Sequence, residues 1–306
     1  MQVDNEIYSI DTVLYEAILT RSHLVVGDYL VLIDSGIKST YGEVVDTLKG
    51  LGLNMASIKL LLISHGHADH VGSNYQIAQA SGCLIGAHKL AVPWVENYQL
   101  QFAEVFDPFP DILPVSQELR DWVYGSMDQG ARVDLQFDEG LLINLGQGIT
   151  LEVFHLPGHT PGDVGFYRRS SRTMIIGDAT PFLEDLSLAL YYNLAVMRET
   201  IHRLQSLRQE LPFDTLLSSH YPPIRGAQID DYLQACLDYL LAFEEIVMKR
   251  VCASAYGATH AEVAQAAAQT LRKGYDFVAL TTTYAYLKDL EARGAIVQTN
   301  GRWIAA

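Results

Sequence analysis

The sequence predicts an α+β fold in which helices are layered on sheet, and three features predict it. Short apolar or β-branched runs alternate with stretches of helical spacing, in the order strand, helix, strand, helix, strand through the first third of the chain. Potential metal ligands recur where strand-like runs stop, as they do when open sheets deliver chemistry from the carboxyl ends of their strands. The chain has 306 residues, 49% of them hydrophobic, enough for a large core and an appended unit.

Val13 to Leu19, His23 to Val26 and Tyr29 to Ile33 read as short strands, with Gly27-Asp28 as a hairpin turn and Asp34-Ser35-Gly36 closing the third. Tyr41 to Leu51 has a helical stripe of Val44, Val45 and Leu48. Ile58 to Ile63 is the next strand, followed by a helix over Asn74 to Ala80 and a strand over Cys83 to Gly86. The rhythm is then lost over 92–133, which holds Trp94, Phe102, Phe106, Phe109 and Trp122 among several prolines. It is too long for an ordinary connection and reads as an inserted, partly helical cap. Three roles fit its aromatic load: a wall for an apolar ligand, a homodimer contact, or packing of its own helices.

Further strands are expected at Leu141 to Ile143, Ile149 to Phe154, Val164 to Tyr167, Thr173 to Ile176 and Thr215 to Ser219, with a helix over Leu194 to Leu207. Beyond these, Leu233 to Val251, His260 to Leu271 and Thr281 to Ala292 have helical spacing, and Asn300-Gly301 marks a turn between two short strands. Helices followed by a small hairpin resemble a winged-helix module.

Composition excludes several classes. A formal charge of -15 argues against a polyanion binder. Residues 251–306 carry 5 Lys and Arg against 4 Asp and Glu, a net of +1 and no concentrated basic face, so a structural or dimerising role is favoured there over nucleic-acid recognition. Cys83, Cys236 and Cys252 are widely spaced and read as free thiols. The amino-terminal stretch lacks signal-peptide character and no apolar run reaches membrane-span length, so a cytoplasmic location is expected. No G-x-G-x-x-G follows the first strand.

The densest chemistry follows the strand Ile58 to Ile63. In His65-Gly66-His67-Ala68-Asp69-His70 four ligand-type side chains fall within six residues. On a helix neighbouring positions diverge, whereas in a tight loop they converge. Imidazoles with a carboxylate suit Zn²⁺ or another borderline first-row ion, and a solvated histidine loop is the competing reading. Three further strand ends carry His159, Asp178 and His220, as one shared site requires. His23, His88, His155, His202 and His260 lack such a cluster and are assigned surface, hydrogen-bonding or packing roles.

With these residues the chain resembles the metallo-β-lactamase-fold hydrolase superfamily, which includes glyoxalase II, lactonase and thioesterase members. The signature is met by His65 to His70, and the later ligand positions by His159 in Pro-Gly-His-Thr-Pro-Gly, Asp178 in Ile-Gly-Asp-Ala and His220 in Ser-Ser-His. The resemblance covers roughly residues 10–225 and implies a four-layer αββα sandwich with a site for two metal ions at one edge. Residues 1–230 are then the catalytic domain, interrupted by the 92–133 insertion, and 231–306 the winged-helix-like module. It implies His65, His67 and His159 around one ion, Asp69, His70 and His220 around the other, and Asp178 between them. Asp34 in Leu-Ile-Asp-Ser-Gly would orient a ligand histidine.

The implied chemistry is hydrolysis of a thioester, carboxylic ester or lactone by a metal-bridging hydroxide, with Asp69 or Asp178 accepting a proton. Zinc is the expected ion, with iron and manganese as alternatives. Tyr191 and Tyr192 are candidate substrate contacts because they follow Asp178. β-Lactam and phosphodiester substrates remain open, as do a diiron redox enzyme and a metal-containing binding or regulatory protein. The final 56 residues are too short for the flavin domain of a flavodiiron enzyme.

Overall fold

A computed structural model describes residues 1–306 apart from Ala17, Gln147, Asp185 and Leu186. Two six-stranded sheets lie at its centre. The first contains β1 (Ile7–Tyr15), β2 (Ile18–Val26), β3 (Leu30–Ile33), β4 (Ile58–Ile63), β5 (Leu84–His88) and β6 (Leu135–Phe137) in sequential order. β1 to β3 are antiparallel, and the connections from β3 to β6 are parallel. The second contains β7 (Leu142–Asn144), β8 (Thr150–His155), β9 (Val164–Arg168), β10 (Thr173–Ile175), β11 (Thr215–Leu217) and β12 (Ile224–Arg225), with one parallel pair, β10 against β11.

Helices cover both outer faces. On the first sheet lie α1 (Thr40–Gly50), a short turn α2 (Ala68–Val71) and α3 (Asn74–Ser81). The 92–133 segment adds α4 (Val92–Glu96), α5 (Tyr98–Gln101), a π-helical turn Phe102–Phe106 and α6 (Gln117–Ser126). On the second sheet lie α7 (Leu194–Glu210), α8 (Gln228–Cys252), α9 (His260–Leu271) and α10 (Phe277–Ala292), followed by the hairpin β13 (Ile296–Thr299) and β14 (Arg302–Ala305). Among the described residues, no helix is long and apolar enough to cross a membrane.

β4 shows why the layering follows from sequence. Leu60 and Leu62 enter the core between the sheets, with Val31, Ile33, Val153 and Phe166. Leu61 and Ile63 point the other way, against Val44 and Leu48 of α1 and Ile77 of α3. From Leu60 to Ile63 the strand is buried on both faces and apolar at every position, while Lys59 before it is exposed. Each such buried side chain contributes about 1.5–3 kcal/mol. α7 buries Met197, Ile201 and Leu204 against the outer face of the second sheet, and Asn193 caps it by accepting from the Val196 amide at 3.1 Å.

The expected strand Val13 to Leu19 is corrected. A hairpin turn interrupts that run: β1 ends at Tyr15, Glu16 takes φ 48°, and β2 starts at Ile18. Ala17 of the expected strand lies outside the described residues. Apolarity continues through the turn because Leu14, Tyr15 and Ile18 face a cavity rather than a sheet core. At the other end of the chain the Asn300-Gly301 turn is present, with φ 51° and 73°, as a two-residue hairpin with both central residues left-handed requires.

Candidate metal centre and its cavity

Four strand ends meet at one edge of the sandwich. β4 runs into the loop bearing His65 and His67 and then the turn α2 bearing Asp69 and His70, and β8 into the loop bearing His159. β10 is followed by Asp178, and β11 by His220. Two groups result: His65, His67 and His159, and Asp69, His70, Asp178 and His220, with the offered ligand atoms of each group within 4.8 Å of one another. All seven sequence-predicted ligand residues are thus brought together.

In the first group, His67 Nδ1 lies 3.1 Å from His65 Nε2 and 2.9 Å from His159 Nε2. The edge between two nitrogens tetrahedrally bound to one zinc ion is roughly 3.3 Å, so these rings are already near a shared vertex. In the second group, Asp178 Oδ2 lies 3.1 Å from His220 Nε2 and 3.4 Å from His70 Nε2. The same oxygen is 3.7 Å from His159 Nε2, so Asp178 stands between the groups.

The outward ring nitrogens identify what the inward ones are for. His159 Nδ1 meets the Leu190 carbonyl at 2.7 Å, and His220 Nδ1 the Leu19 carbonyl at 2.8 Å. His70 Nδ1 meets Asp34 Oδ2 at 2.9 Å. A carbonyl or carboxylate can only accept, so each of these rings donates from Nδ1 outward and turns Nε2 toward the cluster, the nitrogen that would offer its lone pair to a cation. The orphaned buried atoms agree: His70 Nε2 and Asp178 Oδ1 have no hydrogen-bond partner among the described residues. Burial, reinforced by neighbouring histidines, holds His65 and His67 well below the usual histidine range, so both stay neutral. Burial opposes ionisation of Asp178, yet His220 and His70 outweigh it and hold that carboxyl well below its usual range. Burial opposes protonation of His220 and His70, yet Asp178 and Asp69 outweigh it, raising His220 to about 9 and His70 above its usual range. A divalent cation would take the place of those protons, and imidazoles with ionised carboxylates are the donor set that fits one.

Asp34 sits where sequence reasoning placed it, beside a ligand histidine. It takes φ 61°, a left-handed conformation that Asp tolerates, and is 2% exposed. Its carboxylate accepts from the Ser64 amide at 2.7 Å and the Ser64 hydroxyl at 2.6 Å as well as from His70. Tyr191 is corrected as a substrate contact. Its ring is fully buried in the core of the carboxyl-terminal helices, where its hydroxyl donates to Tyr286 Oη at 2.8 Å. Tyr192 packs its ring against His67 and Trp94, at 6.2 and 5.7 Å between centroids.

Sequence reasoning missed several residues that grip the histidine loop. Trp94 stacks on His67 with an interplanar angle of 15° and centroids 5.6 Å apart. Gln101 Nε2 donates to the Gly66 carbonyl at 2.5 Å, and Tyr98 Oη donates to the Val71 carbonyl at 2.7 Å. Gly66 is needed for this embrace, since a Cβ there would lie 2.9 Å from Trp94 Cβ. The inserted segment therefore clamps the loop at both ends. Only a lone Gln amid aromatic residues could have hinted at it.

The cluster opens into a cavity of about 560 Å³. Its wall combines the β1–β2 turn (Leu14, Tyr15, Ile18), the insertion (Val105, Phe106, Leu119, Trp122), Phe182 and Leu190, and the start of α10 (Phe277, Val278). The carboxyl-terminal segment thus reaches the site, a contribution its sequence did not signal.

A two-sheet sandwich with helices on both outer faces and a His/Asp cluster at its edge is the architecture of the metallo-beta-lactamase fold. The family model of the metallo-beta-lactamase superfamily matches residues 19–220, and the chain belongs to that superfamily. Among solved structures, the metallo-beta-lactamase family protein TTHA1429 from Thermus thermophilus superposes over 100% of both chains with a TM-score of 0.81 at 19% identity. A beta-lactamase domain protein from Burkholderia ambifaria gives 0.76 at 17%, over 100% of this chain and 94% of that one. These likenesses carry the fold. Among curated proteins, hydroxyacylglutathione hydrolase GloC of Haemophilus influenzae is 33% identical over 138 residues, which cover 44% of this chain and 55% of GloC. The probable metallo-hydrolase YflN of Bacillus subtilis is 23% identical over 172 residues, 56% of this chain and 62% of YflN. The matches thus span little more than half the length of these relatives.

Proposed function

We propose that this chain is a hydrolase that holds two divalent metal ions, zinc foremost, and cleaves a thioester, carboxylic ester or lactone. His65, His67 and His159 would hold one ion, Asp69, His70 and His220 the other, with Asp178 shared. The observation that carries the reading is the opening of this donor set into an apolar cavity, whose volume lies within the range of small-molecule sites. The name of the Haemophilus relative supports an acyl substrate, since that protein is called a hydrolase of hydroxyacylglutathione.

A bound metal pair supplies a hydroxide nucleophile at neutral pH and Lewis acidity toward the scissile carbonyl. The chain's own residues supply the rest. The outward hydrogen bonds of His70, His159 and His220 fix which nitrogen of each ring faces inward. Asp69 and Asp178, both held ionised by His70 and His220 against the penalty of burial, are available to accept a proton at their inward oxygens. The apolar wall excludes bulk water and buries the acyl portion.

The test is a His67→Ala variant compared with the parent protein by elemental analysis and by turnover of acyl thioesters, carboxylic esters and lactones. Metal content and hydrolysis are expected to fall together. Full turnover by a metal-depleted variant, or none by the metal-replete parent, refutes the reading.

A further inference from the structure

We infer that the cavity takes an acyl group joined to an uncharged leaving group, and that Phe277 sets how long that acyl group can be. The inference rests on the hydrolase reading above and narrows its substrate class. Its first support is the charge of the wall. The charged side chains lining the cavity are Asp69, Asp178 and Glu118, and no Lys or Arg is among the described residues that line it. Lys38 follows the wall residue Ile37 in sequence, and Arg120 follows Leu119, but they pair with Asp128 at 3.9 Å and Asp107 at 3.8 Å. Beyond the metal centre the charged side chain of the wall is the exposed Glu118, so the wall holds no cationic side chain, among the described residues, to pair with the carboxylates of glutathione or the phosphates of coenzyme A.

The second support is the shape of the wall. The ring of Phe277, at the first position of α10, lies 5.1 Å from that of Phe106 in the insertion. Phe277 also packs against both helix-covered cores, so its position is fixed by two layers of the fold. Asp276 pins the helix start: it accepts from the Ala279 amide at 2.9 Å and from the Ser187 hydroxyl at 2.5 Å. A bulky ring held this way is a stop for an alkyl chain rather than a yielding surface, because packed side chains cannot shift without opening a void elsewhere.

The experiment uses the metal-replete full chain and one acyl series, butyryl, octanoyl and dodecanoyl, presented as N-acetylcysteamine, glutathione and coenzyme A thioesters. The bond cleaved is the same throughout, and only the leaving group's charge and the chain length change. For each acyl group kcat/KM is expected to be at least about tenfold higher for the neutral N-acetylcysteamine thioester. Phe277→Ala is expected to raise the ratio of dodecanoyl to butyryl turnover by about tenfold, and Phe277→Trp to lower it. The opposite changes in the two variants separate a ruler from general loss of folding. Equal or better use of the anionic thioesters, or chain-length ratios unmoved in both variants, overturns the inference while leaving the hydrolase reading intact. Absence of turnover on every thioester, with esters and lactones also untouched, refutes both.

Discussion

Asp34→Asn is the sharpest probe of the ligand shell, because it changes one atom pair and leaves the backbone conformation accessible. Asn tolerates the left-handed φ of 61° as well as Asp does. Its carbonyl oxygen can still accept from the Ser64 amide, which now meets Asp34 Oδ1 at 2.7 Å. Its amide nitrogen, however, replaces Oδ2, which accepts from the Ser64 hydroxyl at 2.6 Å and from His70 Nδ1 at 2.9 Å. Two donors then face each other across His70 Nδ1. The ring relieves this by moving its proton to Nε2, the nitrogen that faces Asp69 at 3.4 Å and Asp178 at 3.4 Å. A protonated Nε2 has no lone pair for a cation. The lost charge-assisted hydrogen bond is worth about 1.5–3 kcal/mol, which matches the roughly 10–100-fold loss of metal affinity typical when an outer partner of a ligand histidine is removed. The assay is competition for zinc against a chromophoric chelator, with near-ultraviolet circular dichroism to confirm the fold. One class of zinc site is expected to weaken by that factor while the other is little changed. Parent-like affinity at both in a folded Asp34→Asn protein refutes the argument that Asp34 sets the tautomer of His70.

Two other perturbations follow from the same geometry. His23 of β2 is buried, hydrogen-bonded to Ser9 Oγ on the neighbouring β1 at 3.0 Å, and burial together with Arg21 pushes its pKa from 6.5 down to about 3. The unfolded chain therefore binds this proton first, so its contribution to stability is present above about pH 6.5 and is lost as pH falls toward 3. Between pH 6.5 and 5 that amounts to about 2 kcal/mol, and urea unfolding of His23→Gln should show a decline smaller by that amount; identical pH slopes refute it. Gly72 follows the histidine loop with backbone on three sides, and a Cβ there would lie 2.7 Å from the Ser126 carbonyl, 2.8 Å from Ile37 Cα and 2.9 Å from the Ala68 carbonyl. Gly72→Ala should cost about 1–3 kcal/mol, read as a lowered Tm, and an unshifted Tm would show that the loop and insertion can part without penalty.

What could be read from the sequence, and what could not, divides along a physical line. The strand Ile58 to Ile63 was legible because its last four residues, Leu60 to Ile63, are buried on both faces and so are all apolar; only Lys59 is exposed. α9, from His260 to Leu271, falls on the residues its spacing predicts. β6 escaped notice because only Phe137 of its three residues is buried, leaving no pattern to detect. The first hairpin was misread because Leu14, Tyr15 and Ile18 keep the run apolar through its turn.

The site divides in the same way. Zinc-type ligands are drawn from few residue types, chiefly His, Cys, Asp and Glu, so a candidate metal cluster is legible in the residues at His65 to His70, His159, Asp178 and His220. A cavity wall demands only volume and apolarity, which core residues supply equally well. Phe277 therefore reads in sequence like Leu280 or Leu287 of the same helix, although it lines the cavity and they do not. Trp94 and Phe106 stood out only as part of the insertion's aromatic load, for which an apolar wall was one of three roles, and Gln101 was silent, since their partners lie elsewhere in the chain: His67, Phe277 and the Gly66 carbonyl. Chemistry is thus encoded locally and selectivity tertiarily. Relatives with the same ligands can then differ in substrate through the segments that wall this cavity, among them the β1–β2 turn, the insertion, the stretch bearing Phe182 and Leu190, and the start of α10.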